Sequence, residues 1–147
     1  MIATDNPQLP RGADPRAPSV VLLIPCFNEE QTVGEVIRDF RREIPGLRVV
    51  VGDNNSTDRT AEVAREAGAE VVPVRRQGKG AVVRKLFRSV EADVYIMVDG
   101  DATYPAEHIH EMLVPVLAGE ADMVVGDRMA EGHYQRENRR AFHSFGN

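Results

Sequence analysis

No stretch of this chain is apolar for long enough to cross a bilayer as a helix. Its first residues also lack the apolar centre of a signal peptide. Basic residues are in deficit: 18 Lys and Arg against 23 Asp and Glu leave a net charge of −5, so no nucleic-acid partner is expected. One cysteine, Cys26, excludes an internal disulfide and suits a reducing compartment, and a cytoplasmic setting is expected. That thiol borders an apolar run, which favours a buried, inert side chain over a nucleophile. The four histidines do not read as a metal set. His108 and His110 fall two apart on a predicted helix, point to different faces and are expected at the surface.

What is present is ordinary for a globular chain: 147 residues, 42% hydrophobic and 28% charged, enough for one domain with a real core. Residues 1–18, with Pro7, Pro10, Pro15 and Pro18 and no periodicity, read as a flexible leader, and residues 19–147 as the domain. Val20 to Ile24 is a continuous apolar run that suits a strand covered on both faces, with Pro25 ending it. Val33, Val36, Ile37, Phe40 and Ile44 mark a helix that Asn28 is expected to cap and Pro45-Gly46 to stop. Leu47 to Val51 reads as a second strand, and a short helix with Ala61, Val63, Ala64 and Ala67 closes at Gly68. Ala69 to Val74 follows as a third strand. A helix over Ala81 to Val90 is expected to turn Val83, Leu86, Phe87 and Val90 inward.

Tyr95 to Val98 reads as the central strand. Pro105 is expected to open the next helix, with Ile109, Met112, Leu113, Val116 and Leu117 inward and a kink at Pro115. Met123 to Gly126 reads as a fifth strand. Strand and helix alternate throughout, which predicts a doubly wound, mostly parallel α/β sheet with helices on both faces, Rossmann-like in layout. After Gly126 the pattern stops. Residues 127–147 are polar, so the domain is expected to be incomplete on its C-terminal side, and an unfinished sheet edge favours self-association into a homo-oligomer.

Strand-end loops gather at one edge of such a sheet, where ligands of open α/β folds bind. Four loops are expected there: Pro25 to Glu30, Asp53 to Asp58, Gln77 to Gly80 and Asp99 to Tyr104. Asp99 and Asp101 stand two apart at the end of a strand, where side chains share a face. Carboxylates so close repel unless a cation lies between them, and magnesium suits, because it takes one or two carboxylates and leaves its other positions to water and phosphates. A solvated turn would account for an isolated Asp-Gly-Asp, and for Gly78-Lys79-Gly80, which lacks the spacing of a P-loop. Together, the four loops offer carboxylates, amides, a lysine and mobile glycines. That inventory suits a nucleoside diphosphate with a metal.

These loops also resemble a family. Pro25-Cys26-Phe27-Asn28-Glu29-Glu30 is similar to the Pro-x-Tyr-Asn-Glu opening of family 2 glycosyltransferases of the GT-A fold, and Asp53 to Thr60 to their Asp-Asp-Gly-Ser-x-Asp-x-Thr loop. Gly78-Lys79-Gly80-Ala81 resembles the glycine loop of the dolichyl- or polyprenyl-phosphate mannose synthase branch. Asp99-Gly100-Asp101 resembles the metal motif, and Gly126-Asp127-Arg128 the Gly-x-Arg that follows it. Asn54 and Asn55 replace the usual Asp-Gly, and Thr103 stands where some of the branch carry glutamine.

The resemblance implies transfer of a hexose from a UDP- or GDP-sugar, with Mg2+ or Mn2+, to a polyprenyl phosphate or a glycan. Carried over, Asp53 contacts the base, Pro25 and Glu29 line its pocket, and Asn28 and Asn54 are further donor-binding residues. Gly78 and Lys79 approach phosphate, Asp99 and Asp101 hold metal and diphosphate, and Arg128 faces phosphate charge at the reacting centre. Asp101 and Arg128 are thus the expected catalytic pair. A polyprenyl phosphate, already an anion, needs positioning where a sugar hydroxyl needs a base. Peripheral contact with the inner face of a membrane is expected on that reading, and Arg136, Arg139 and Arg140 could hold such a phosphate or be a solvated face. Two other readings fit the inventory: a catalytically incomplete nucleotide-sugar-binding module and a sugar-phosphate nucleotidyltransferase. The latter would want a Gly- and Arg-rich loop after the first strand, which Cys26-Phe27-Asn28-Glu29-Glu30 is not.

Overall fold

The computed structural model describes residues 17–127. Four parallel strands, β1 (Val20–Cys26), β2 (Arg48–Asp53), β3 (Glu70–Pro73) and β4 (Val94–Met97), stand in the order β3-β2-β1-β4. Between them run α1 (Val33–Glu43), α2 (Thr60–Glu66) and α3 (Lys79–Ser89); α4 (Ile109–Leu117) follows β4 after a single 3-10 turn at Ala106–His108. The expected α/β layering is present. Leu22, Ile24, Val49 and Val51 pack with α1, Ala64 of α2 and Ile109 and Leu113 of α4. Val21, Leu23 and Val50, pointing the other way, pack with Val82 and Leu86 of α3. Alternate residues of one strand thus feed two cores, which is why β1 and β2 read as unbroken apolar runs.

β1 runs through Pro25, which the sequence had suggested as its end. The Cys26 carbonyl accepts from the Asn54 N–H and the Leu23 carbonyl from the Val98 N–H, so odd-numbered residues of β1 face β4 and even-numbered ones face β2. Pairing with β4 stops at Leu23↔Met97. The missing N–H of Pro25 therefore points where no ladder bond is needed, the condition for proline within a sheet.

Other expectations are corrected. β4 is an edge of the described sheet and β1 lies inside it, because the chain crosses over from β3 to the far side of β1. The fifth strand is not formed at Met123 to Gly126. Met123 and Val125 are 78% and 75% exposed, and the segment lacks the ladder partner that makes a strand. α3 turns Val82, not Val83, inward, and Phe87 is 46% exposed. Asn28 does not cap α1, whose N-cap is Thr32; instead the Glu29 carbonyl accepts from Val33 N–H. Pro105 precedes the 3-10 turn, and Pro115 sits in the last turn of α4. His108 is exposed, while His110 is largely buried with Nε2 3.6 Å from Glu43 Oε2. Arg128, Arg136, Arg139, Arg140, His133, His143 and the leader up to residue 16 lie outside the described residues. Among the described residues, no helix is long and apolar enough to cross a membrane.

Candidate functional site

The strand order places a switch point between β1, which leads toward β2, and β4, reached from the opposite direction. Ligands of open α/β sheets bind in the crevice beyond the carboxyl ends at such a point. The loops leaving β1 and β4 carry Asn28-Glu29 and Asp99-Gly100-Asp101, so both expected motifs flank this crevice.

Hydrogen bonds join the β1 loop to the β2 loop. The Asn28 N–H donates to Ser56 Oγ at 3.0 Å, and Asn28 Oδ1 accepts from the Thr57 N–H at 2.8 Å. The Glu29 N–H donates to Thr60 Oγ1 at 2.7 Å, and the Arg59 N–H to Glu30 Oε2 at 2.9 Å. Burial pushes the Asp58 carboxyl up, but the Thr60 hydroxyl, the Thr60 N–H and the Glu30 N–H outweigh it and hold the carboxylate below its usual range. Asn28 and Asn55 adopt φ of 52° and 60°, the left-handed region that asparagine tolerates best after glycine. Asn55 can therefore replace the glycine of the resembled motif without losing the turn.

Asn54 joins the second loop to the third. Only 3% exposed, it donates through Nδ2 to the Val74 carbonyl at 3.1 Å and the Arg76 carbonyl at 2.8 Å, and accepts at Oδ1 from the Gly78 N–H at 2.8 Å. An amide so occupied ties the second loop to the third. Asp53 ends β2, half-buried, with Oδ1 taking the Ser56 N–H at 3.3 Å. Gly78, at φ 113°, turns the chain into α3 and puts Lys79 beside the fourth loop.

There, Lys79 Nζ donates to Asp99 Oδ1, and the Tyr104 hydroxyl to Asp99 Oδ2 at 3.3 Å. Because β4 stops at Met97, Asp99 and Asp101 stand in a turn and not on a shared strand face. Asp101 is exposed and its Oδ1 accepts from the Thr103 N–H and hydroxyl, at 3.1 and 2.6 Å, while Ala102 takes φ 60°.

The turn of acids is seated on the first loop. The Thr32 hydroxyl donates to the Gly100 carbonyl at 2.6 Å. A Cβ at Gly100 would lie 2.6 Å from Cys26 Sγ and closer still to Glu29 Oε2, so only glycine fits this approach. Beneath it, Glu29 Oε2 is buried without a hydrogen-bond partner among the described residues. The Glu29 carboxyl is raised to about 7: burial, above all, and the charges of Asp101 and Asp99 push it up, while the Cys26 thiol and the Phe27 N–H pull it down. Burial, then the charge of Glu29, drives the Cys26 thiol well above its usual value, so it stays protonated, as expected of an inert cysteine.

Thr32 was not legible as a site residue, because its partner lies 68 positions away. The donor set fits a divalent ion of magnesium's habits. Two carboxylates share one turn over an unpartnered buried carboxyl oxygen, and among the described residues no three His, Cys, Asp or Glu could enclose an ion unaided. Phosphates and water would complete the shell of such an ion.

The family model for glycosyl transferase family 2 matches residues 21–146. RfbJ of Shigella flexneri is 48% identical over 114 residues, covering 78% of this chain and 88% of that protein. Glycosyltransferase AglJ of Haloferax volcanii is 42% identical, covering 80% of this chain and 38% of that protein. Dolichyl-phosphate hexose transferase of the same organism is 35% identical, covering 77% and 49%. Glucosyl-3-phosphoglycerate synthase from Mycobacterium tuberculosis, solved with Mn2+, UDP and glucosyl-3-phosphoglycerate, superposes with a TM-score of 0.63 at 27% identity, covering 70% of this chain and 41% of that one. The sheet is thus that of a GT-A-type glycosyltransferase. The chain belongs to glycosyl transferase family 2, and it spans less than half the length of the last three proteins.

Proposed function

We propose that the carboxyl edge of the sheet binds a nucleoside diphosphate sugar with a divalent ion and passes the hexose to a polyprenyl phosphate. The observation that carries this reading is the seating of the Asp99-Gly100-Asp101 turn on Glu29 and Thr32 at the switch point. Asp53 accepts from a base N–H, which uracil and guanine offer and adenine lacks at the matching edge. Pro25, Asn28 and Glu29 wall this pocket, and Gly78 and Lys79 meet the diphosphate. Asp99 and Asp101 would hold Mg2+ or Mn2+, which supplies positive charge for the leaving diphosphate. The Mn2+ and UDP of the mycobacterial structure and the dolichyl phosphate of the archaeal relative's name support this choice.

In the transfer, an acceptor phosphate oxygen forms a bond to the anomeric carbon as the bond to the diphosphate oxygen breaks, and the electron pair leaves with the nucleoside diphosphate. No proton needs to be removed from an ionised phosphate, so positioning and charge are what the residues must supply. Arg128 is assigned to the charge of the phosphates at the reacting centre. The test is turnover of radiolabelled UDP- and GDP-hexoses with polyprenyl phosphate in detergent. Lipid-linked hexose that disappears in chelator and in Asp101→Asn supports the reading. Donor binding without transfer to any polyprenyl phosphate refutes the acceptor, and transfer unaffected by chelator refutes the metal.

A further inference from the structure

On the opposite face of the sheet from α1 and α4, a shallow groove of about 330 Å³ runs between the exit of β3 and the outer side of α3. Five cations line it, Arg75, Arg76, Arg84, Lys85 and Arg88, and no acid does. All five are exposed, and none enters an ion pair among the described residues, whereas Arg42, Arg48 and Arg59 each pair with an acid. A chain of net charge −5 has therefore gathered unpaired positive charge on one face. Helical spacing puts Arg84 and Arg88 in one row, with Lys85 on one flank and the exposed Phe87 on the other. The Phe87 ring is held edge-on to Tyr95, with centroids 5.1 Å apart.

We infer that this groove is a docking surface for an anionic lipid bilayer. Unpaired Arg and Lys side chains reach headgroup phosphates while their stems lie along the apolar boundary, and an exposed aromatic ring beside them gains from the interface. A nucleic acid is the poorer match. A single ring braced against Tyr95 is no stacking platform for successive bases. The groove starts at Arg75 and Arg76, and Asn54 holds the Arg76 carbonyl and the Gly78 N–H in the loop that follows. Docking by this face sets the carboxyl edge of the sheet beside headgroup level, and it stands independently of the chemistry at that edge.

The test is co-sedimentation of the full chain with vesicles of phosphatidylglycerol and phosphatidylcholine, against phosphatidylcholine alone. Binding to the anionic vesicles only is expected, weakening as salt rises, since the attraction fades within a Debye length. Each basic residue changes membrane affinity about fivefold, so Arg84→Gln/Lys85→Gln/Arg88→Gln should lose on the order of a hundredfold. The control Arg38→Gln/Arg42→Gln/Arg65→Gln, equal in charge but on α1 and α2, should retain binding. Nucleotide affinity should be unchanged in both triple variants, which separates failure here from failure of the proposed transfer. Equal binding to neutral vesicles, equal loss in the control, or tighter retention by single-stranded RNA than by anionic vesicles overturns the inference.

Discussion

Gly100 and Glu29 meet where no atom can be added. Gly100→Ala must push its new methyl against Cys26 Sγ and Glu29 Oε2, and overpacking of this kind costs about 2 kcal/mol. The carboxylates on either side must shift with it, so nucleotide affinity should fall together with the melting temperature. Thr32→Val keeps the shape but removes the hydrogen bond to the Gly100 carbonyl; a loss of about 1 kcal/mol in chemical denaturation is expected, with weaker nucleotide binding. An unchanged nucleotide affinity in Thr32→Val would mean that the turn needs no such anchor. Glu29 adds a pH dependence. Its carboxyl is raised from 4.5 to about 7, so between those values the folded chain holds a proton that the unfolded chain has released, and stability falls as pH rises through that window. Cys26, Asp99 and Asp101 face the same carboxyl. Glu29→Gln should flatten this slope in melts across the window, and an unaltered slope would place the titration elsewhere.

At the scale of elements, the loops behave as a stitched set because each is tied to another by a buried or half-buried polar side chain. Asn54→Ala removes three hydrogen bonds to backbone at the join of the second and third loops and strands their partners, so about 3 kcal/mol of destabilisation is expected. Faster hydrogen exchange at residues 75–80 should accompany it, and unchanged exchange there would deny Asn54 its positioning role. The helices and inner strands were legible because their apolar period depends on local sequence alone: Val33, Val36, Ile37 and Phe40 are all buried, as spaced. What was not legible depended on partners. Pro25 stays within β1 because of where β4 stops pairing. Val124 and Val125 have β-forming side chains yet no ladder, and Val82 replaces Val83 on the inner face because α3 packs along Val21, Leu23 and Val50.

Across the whole molecule, four loops spread between Pro25 and Tyr104 converge because parallel strands deliver all their carboxyl ends to one edge. That is why the grouping of Asn28, Asp53, Lys79 and Asp99 could be read from topology, while their ties could not. The spacing of Asp99 and Asp101 suggested a shared strand face, and the turn instead hands Asp99 to Lys79 and Tyr104 and Asp101 to Thr103. Calorimetric titration of UDP, GDP and ADP into the chain, with Mn2+ and then with chelator, tests the site as a whole. UDP or GDP should bind in preference to ADP, at least tenfold more tightly with Mn2+ than in chelator, and Asp101→Asn should abolish that gain. Equal affinity with and without metal, together with indifference to the base, would contradict a metal-assisted nucleotide site at this edge.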